Sequence, residues 1–140
     1  MKILLYILTF NQIIEQTQII PQGKTAFNQA MLMERAGKIT DAILIYERIL
    51  EKNPSHQPSY FQMKNIYSQN GNYESAIILV QKWLTNNPND LQSEILLGEY
   101  FFRNQQKTEA LDTWEKLSET KLTNKTTYRL LFHTYARFGQ

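Results

Sequence analysis

The stretch GKITDA at residues 37–42 recurs as GNYESA at residues 71–76 and as QQKTEA at residues 105–110. Successive copies begin 34 residues apart, and each copy ends on an alanine. The same shift aligns further positions: Tyr46, Val80 and Trp114; Ile49, Trp83 and Leu117; Met33, Tyr67, Phe101 and Tyr135. A fixed period of about 20 to 50 residues is typical of proteins that stack copies of one small structural unit. The chain is therefore predicted to be a repeat protein.

Each repeat is predicted to contain two helices. In the first repeat, Ala26, Ala30 and Met33 recur at the three- and four-residue spacing of one helix face. A second apolar face follows, and it begins at Ala42 and continues through Tyr46. Two short helices joined by a tight turn account for the whole period.

Glycine and proline mark the turns of the first two repeats. Gly37 and Gly71 end the first helices, because a helix C-terminus often needs the left-handed backbone that glycine adopts readily. Pro54 and Pro88 follow the second helices, since the residue before a proline is driven out of the helical region. The third repeat carries Gln105 and Leu122 at these two positions. Its turns are therefore predicted to be less sharply defined.

The recurring residues resemble the tetratricopeptide repeat. They are the small residue that opens each second helix (Ala42, Ala76, Ala110), the residue four positions later (Tyr46, Val80, Trp114), the closing Pro54 and Pro88, and the small residues Ala30 and Gly98 midway along a first helix. Lys64 and Phe132 depart from the family pattern at that last position, so the packing there is predicted to be looser or rearranged. The resemblance covers Gly23 to Gln140, as repeats 23–56, 57–90 and 91–124 and the first helix of a fourth at 125–140.

The resemblance implies an all-α, right-handed superhelix, or solenoid, of helical hairpins. Neighbouring hairpins share a core, because one hairpin alone cannot bury its apolar face. In the family the first helices line a concave face that holds extended or helical peptides. The implied function is a non-catalytic scaffold or adaptor that binds a protein or peptide.

Composition removes several kinds of site. The 140 residues include no cysteine, which excludes a thiol nucleophile, a disulfide framework and a thiolate metal site. The formal charge of +2 is too small to indicate a nucleic-acid partner. The apolar run at the N-terminus is shorter than the ~20 residues of a membrane span. No nucleic-acid partner and no membrane span are predicted.

No catalytic, cofactor or metal motif is complete. Gly23-Lys24-Thr25 resembles the end of a phosphate-binding loop, but Gln18 stands where that loop needs a glycine. His56 and His133 lack the four-residue spacing that places two metal ligands on one helix face. His56 is predicted to be an exposed turn residue, and His133 an ordinary surface residue. An enzyme is therefore not predicted, and neither is a cofactor.

The candidate binding residues lie on the first helices. The aromatic residues of the aligned positions are predicted to form the core: Tyr46, Tyr60, Tyr67, Trp83, Phe101, Trp114, Tyr128 and Tyr135. Carried over from the family's geometry, the concave face would hold Phe27, Phe61, Ile95 and Arg129, with Met31, Asn65, Glu99 and His133 one turn later and Phe102 nearby. Exposed apolar side chains bordered by polar ones suit a peptide groove. The alternative is that Phe27 and Phe61 pack under the N-terminal segment. Full burial of the apolar members would exclude the groove.

One subtype of the family can be tested from the residues. Chaperone-binding members resemble each other in a clamp of lysine, arginine and asparagine that holds a C-terminal carboxylate. The matching positions here carry Phe27, Met31, Gln62, Asn65, Gln92 and Leu96, of which only Asn65 fits. A carboxylate clamp is therefore not expected, and an apolar or mixed peptide ligand is favoured.

The N-terminal segment, residues 1–22, has two interpretations. Met1-Lys2 followed by an apolar run resembles a secretory signal peptide, although no small-x-small cleavage site follows. The alternative is an amphipathic helix that caps the first repeat through Leu8, Ile13, Ile14, Ile19 and Ile20. A cleaved signal would place the protein in the periplasm or outside the cell, and a capping helix would leave it in the cytoplasm.

The last predicted helix leaves an apolar side without the polar capping helix that normally closes a repeat array. One interpretation is that the chain is the repeat portion of a larger, envelope-associated protein whose functional site lies elsewhere. The other is self-association through the open end, with Leu131, Tyr135 and Phe138 as the interface.

Overall fold

A computed structural model of the protein describes residues 24–121 and 125–138. The described residues form seven α-helices and no strand. The helices are α1 (Lys24–Arg35), α2 (Ile39–Lys52), α3 (Gln57–Gln69), α4 (Tyr73–Asn86), α5 (Leu91–Arg103), α6 (Lys107–Lys121) and α7 (Lys125–Phe138). The all-α helical-repeat fold predicted from the sequence is confirmed. The N-terminal segment, with its signal-peptide and capping-helix interpretations, lies outside the described residues.

The chain divides into two compact units, Met1–Ile49 and Leu50–Gln140. In the first unit, α1 packs on α2 through Phe27 and Tyr46, whose ring centroids are 5.6 Å apart. The Tyr46 hydroxyl donates a hydrogen bond of 3.0 Å to the Glu34 carboxylate. Burial of Tyr46, together with the neighbouring carboxylate, raises the pKa of its hydroxyl above the usual value.

In the second unit, each helix packs against the next one along the chain from α3 to α7, and α7 also packs against α5. The core consists of the buried side chains that the repeat pattern brings together: Tyr60, Met63, Ile66, Ala76, Val80, Trp83, Tyr100, Ala110, Trp114, Leu117 and Leu131. Among these, Ala76 and Ala110 open α4 and α6 without any exposed surface. A larger side chain at either position would overpack the contact between two helices.

The turn after the first helix has the same backbone in all three repeats. Gly37 and Gly71 have φ angles of 75° and 67°, and Gln105 has a φ angle of 63°. The following residue closes the turn identically, since the Asn72 amide donates to Tyr67 and the Gln106 amide donates to Phe101, both at 2.9 Å. The prediction that the turn at Gln105 is less sharply defined is therefore wrong. The repeat geometry imposes the left-handed conformation on glutamine, at a cost of ~1–2 kcal/mol relative to an ordinary backbone.

His56 is not the exposed turn residue that the sequence predicts. It is half-buried and forms the N-cap of α3, where its Nδ1 accepts a hydrogen bond of 3.3 Å from the Ser59 amide. Asn72 and Asp90 cap α4 and α5 in the same way, through the amides of Ser75 and Ser93. A helix start leaves backbone amides without partners, and a side-chain acceptor here satisfies one of them.

None of the helices in 24–121 and 125–138 combines the length and the apolar character that crossing a membrane requires.

Candidate peptide-binding face

The nine candidate residues all lie on first helices, namely α1, α3, α5 and α7. The candidates of α3, α5 and α7 belong to the unit Leu50–Gln140, and we call the surface that they form the first-helix face. Its members are Phe61, Asn65, Ile95, Glu99, Phe102, Arg129 and His133. Phe27 and Met31 belong to the other unit and are described separately.

Phe61 is the most exposed apolar member of the first-helix face, with 41% of its surface accessible. Its ring contacts that of the buried Tyr60 at 5.9 Å between centroids, and the exposed Asn65 follows one turn later. The Lys64 ammonium stands 4.3 Å from the centre of the Phe61 ring, which is a cation–π geometry. Burial lowers the pKa of Lys64, while the charge of the Asp90 carboxylate acts in the opposite direction.

On α5, the candidate side chains are shared between the surface and the core. Ile95 and Phe102 are half-buried and pack against the cluster around Trp114. The Trp114 indole donates a hydrogen bond of 3.1 Å to the backbone carbonyl of Ile95. The Phe102 ring lies 6.4 Å from that of Trp114 and 5.1 Å from that of Phe138.

Glu99 pairs with Arg103 of its own helix and lies close to Arg137 of α7. Its carboxylate accepts hydrogen bonds of 2.9 and 2.8 Å from Nε and Nη2 of Arg103. The Arg137 guanidinium of α7 approaches the same oxygen to 3.9 Å. Arg129 and His133 are exposed on α7, and His133 is a surface residue as predicted.

In the unit Met1–Ile49, Phe27 and Met31 are both half-buried. Phe27 rests against Tyr46, so part of its ring belongs to the contact between α1 and α2. None of the four apolar candidates, Phe27, Phe61, Ile95 and Phe102, is fully buried. The condition that would exclude the groove is therefore not met, and the use of these residues in binding stays a prediction.

Sequence reasoning missed Lys64 as part of this face. It identified Lys64 only as a departure from the small residue that the family pattern has there. The signal was its position three residues after Phe61, because residues three and four apart are neighbours on a helix surface.

At the C-terminal end, the structure corrects two expectations about α7. Leu131 was expected to be exposed and available for self-association, but it is 3% exposed and joins the core cluster of Ala110, Trp114 and Leu117. Tyr135 was expected both among the aligned core positions and in the open-end interface; it is 36% exposed, which contradicts the first expectation and agrees with the second, and it contacts Trp114 edge-on at 5.9 Å. Residues four positions apart share a helix face, so the two side chains differ in how completely they are covered. Phe138, the third expected interface residue, is half-buried against Trp114.

A hydrogen-bonded network fixes α3 against α5 and so positions the first-helix face. The Trp83 indole donates to Asp90 at 2.8 Å, and the Ser93 hydroxyl donates to the same carboxylate oxygen at 2.7 Å. The Tyr60 hydroxyl lies 2.7 Å from the Ser93 hydroxyl and donates to it, because the Ser93 proton already points at Asp90. The Tyr60 and Trp83 rings stack in parallel at 4.2 Å. The network thus ties three helices together through four side chains.

The pKa values in this network follow from burial and hydrogen bonding. Burial raises the pKa of Tyr60 to about 12. Burial also acts to raise the pKa of Asp90, but the hydrogen bonds from Ser93 and Trp83 favour its charged form and outweigh it. The pKa of Asp90 is therefore below its usual value, and this carboxylate is ionised at neutral pH.

One small cavity lies between two helices of the described residues, and these residues group no set of metal ligands. A cavity between α3 and α4 has a volume of about 20 Å³ and is lined by Leu50, Pro54, Tyr60, Leu79, Lys82, Trp83 and Asn86. This is room for about one water molecule, whereas small-molecule sites typically enclose roughly 300–1,000 Å³. Within 24–121 and 125–138, no three His, Asp or Glu side chains are grouped so that they could hold a metal.

The chain is similar to a family model, to a curated protein and to solved structures. Residues 35–117 match the family model described as "Anaphase-promoting complex, cyclosome, subunit 3". A curated relative, the peroxisomal targeting signal receptor of Pichia angusta, is 28% identical over 90 residues, which are 64% of this chain and 16% of the receptor.

Two solved structures illustrate the shared fold. MamA from Desulfovibrio magneticus RS-1, from residue 41 to its end, has a TM-score of 0.55 at 14% identity, and the match covers 81% of this chain and 64% of that one. YrrB, described as a TPR protein with an unusual peptide-binding site, has a TM-score of 0.54 at 20% identity. The match covers 93% of this chain and 66% of the YrrB chain. The chain thus spans 16% of the curated relative and less than two thirds of the MamA chain.

Proposed function

Because the chain belongs to the tetratricopeptide repeat family, whose members are protein-interaction scaffolds, we propose that it is a non-catalytic adaptor that binds a peptide segment of a partner protein on its first-helix face. The observation that carries the proposal is the exposure of Phe61, next to fully buried neighbours on the same helix. An exposed aromatic side chain bordered by polar groups is a suitable anchor point for a peptide. YrrB, which shares the fold, is described as having a peptide-binding site.

The surroundings of Phe61 suit a peptide. Lys64 and Asn65 can donate hydrogen bonds to backbone carbonyls or acidic side chains of a ligand, while the Phe61 ring offers an apolar contact. Ile95 and Phe102, which are half-buried on α5, add apolar side chains on the neighbouring first helix. A small number of apolar anchors bordered by polar groups is typical of peptide recognition.

The proposal is tested by selecting peptides from a displayed twelve-residue library against the full chain and then measuring their affinity for variants. We expect Phe61→Ser to weaken binding of the selected peptides by about tenfold or more, because it removes a central aromatic anchor. Fluorescence polarisation with labelled peptides measures the change.

Ile78→Ser is the matched control. Ile78 lies on α4 and is 61% exposed, so the substitution removes a comparably accessible apolar side chain from a second helix. Its peptide affinity should stay within about twofold of the unsubstituted chain. Equal losses in both variants, with unchanged circular dichroism, would contradict the proposal.

Self-association is a second candidate function, which the exposure of Phe132 and Tyr135 on α7 favours. If this face joins two copies, Tyr135→Glu should convert the associated form to a monomer in size-exclusion chromatography with light scattering. Leu131→Glu is the contrasting variant, because it places a charge in the core and should unfold the C-terminal helices instead. A chain that is monomeric at all concentrations before substitution would eliminate this candidate.

A further inference from the structure

We infer that the segment bound on the first-helix face is acidic, with aspartate or glutamate side chains next to apolar ones. The inference rests on the proposed function and specifies its ligand. It comes from the way charge is distributed between the first and second helices of the unit Leu50–Gln140.

Taken together, the first helices of this unit are basic, because the charges of α7 (+3) and α3 (+1) outweigh that of α5 (−1). Helices α3, α5 and α7 together carry five lysines and arginines against two glutamates, a formal charge of +3. Helices α4 and α6 carry four lysines against five acidic residues, a formal charge of −1. Helix α7 contains no acidic residue, and the only charged residue of α3 is Lys64. The chain as a whole is nearly neutral, so this separation is not a result of overall composition.

Two acidic groups near the first-helix face, Glu99 and Asp90, are already engaged. Glu99 holds Arg103 at 2.8 Å and has Arg137 at 3.9 Å. Asp90 accepts hydrogen bonds from Trp83 and Ser93. Glu99 is therefore surrounded by an excess of positive charge, and Arg129 projects from α7 as an exposed cation.

The apolar part of the ligand follows from Phe61. The Lys64 ammonium lies over the Phe61 ring, so one ligand side chain that packs on Phe61 would bring its neighbour close to a cation. A carboxylate on that neighbour gains an ion pair with a partly buried lysine, whereas an ammonium there is repelled. The first-helix face would therefore favour an acidic over a basic ligand side chain next to the one that packs on Phe61.

The composition of the peptides selected from the twelve-residue library tests the inference directly. We expect enrichment of aspartate and glutamate beside leucine or phenylalanine, and an affinity that falls by about tenfold as salt rises from about 50 to 300 mM, because salt screens exposed charges. Enrichment of neutral or basic peptides whose binding is lost in Phe61→Ser would overturn the acidic ligand and leave the proposed function standing.

Two charge-reversal substitutions test whether the affinity for acidic peptides depends on where the positive charge lies. Arg129→Glu on α7 should weaken acidic peptides by about tenfold, while Lys107→Glu, the same charge change on the second helix α6, should leave affinity within about twofold. Equal effects of the two variants would mean that only net charge matters, which would overturn the inference. Peptides that bind independently of both Phe61 and Arg129, or a library that yields no enriched sequence, would overturn the proposed function together with it.

Discussion

Replacing Gly98 by alanine is expected to lower the free energy of unfolding by about 3 kcal/mol, at the upper end of what overpacking a core usually costs. A Cβ added at Gly98 would lie 2.6 Å from Cδ1 and Cε2 of the Trp114 indole, closer than two carbon atoms can approach. Trp114 has no exposed surface, and its indole is held by a hydrogen bond to the carbonyl of Ile95. The ring therefore cannot move aside without losing that bond.

The expected sign is opposite to that of helix propensity. Gly98 lies inside α5, and alanine in an exposed helix interior is favoured over glycine by about 1 kcal/mol. Urea unfolding followed by circular dichroism measures the difference. A variant more stable than the unsubstituted chain would show that propensity outweighs the contact and would contradict the packing described for Trp114.

Gly71→Ala is the matched control for Gly98→Ala. Nothing lies within 4 Å of a Cβ at Gly71, but its φ angle is 67°. The expected cost is about 1 kcal/mol, from backbone strain alone. The contrast between the two glycines separates a steric requirement from a conformational one.

The relative sizes of the two residues at the Gly98–Trp114 contact are reversed at the aligned positions of the preceding repeat. Gly98 accompanies Trp114 in the third repeat, whereas Lys64 accompanies Val80 in the second. Combining Gly98→Ala with Trp114→Val should therefore cost less than the sum of the two single substitutions, because the smaller partner leaves room for the added methyl.

Replacing Asp90 by alanine is expected to cost about 3 kcal/mol, from two separate losses. The substitution removes the N-cap of α5, which is worth about 1 kcal/mol. It also leaves the Trp83 indole N–H and the Ser93 hydroxyl without the acceptor that they share, and an unpaired buried donor costs about 1–3 kcal/mol. Thermal unfolding, monitored by tryptophan fluorescence, measures the total.

Asp90→Asn separates the two losses. Asparagine is as good an N-cap residue as aspartate, but when its amide oxygen caps the Ser93 N–H, its NH2 group cannot accept the hydrogen bonds from the Trp83 indole and the Ser93 hydroxyl. It should therefore destabilise the chain less than alanine does. A loss equal to that of Asp90→Ala would mean that the cap contributes nothing.

The pH dependence of stability follows from the lowered pKa of Asp90. A carboxyl whose pKa is lower in the folded state stabilises that state once pH exceeds its unfolded value, near 4. This contribution should be complete at neutral pH and should disappear as pH falls through the folded pKa. Asp90→Asn should flatten that part of the stability profile, and an unchanged profile would contradict the assignment to Asp90.

Much of the fold could be predicted because it depends on local, repeated features. The spacing of Ala42, Ala76 and Ala110 predicts the period of 34 residues, and all three alanines are fully buried as the pattern requires. The candidate binding residues could be assigned to first helices for the same reason. Helical periodicity states which residues share a face, and that information is present in any single helix.

Predictions that depended on neighbouring helices were less successful. The pattern placed Leu131 at the open end, but Leu131 is buried. It placed Tyr135 both in the core and at the open end, and only the second agrees with the 36% exposure of Tyr135. The two residues lie four positions apart on α7, and only the direction from which α5 and α6 approach decides which of them is covered. The half-exposure of Ile95 and Phe102 likewise depends on the Trp114 side chain, which belongs to a different helix.

The sequence by itself determined that this protein is a helical repeat, how long each repeat is, and which helix of each pair carries the candidate site. The tertiary structure decided that Gln105 adopts the glycine conformation, that His56 caps a helix, and that Lys64 lies over Phe61. The first group depends on backbone hydrogen bonds and apolar spacing, which act over a few residues. The second group depends on which side chains meet when one helix is packed against another, and that contact is set by every helix around it.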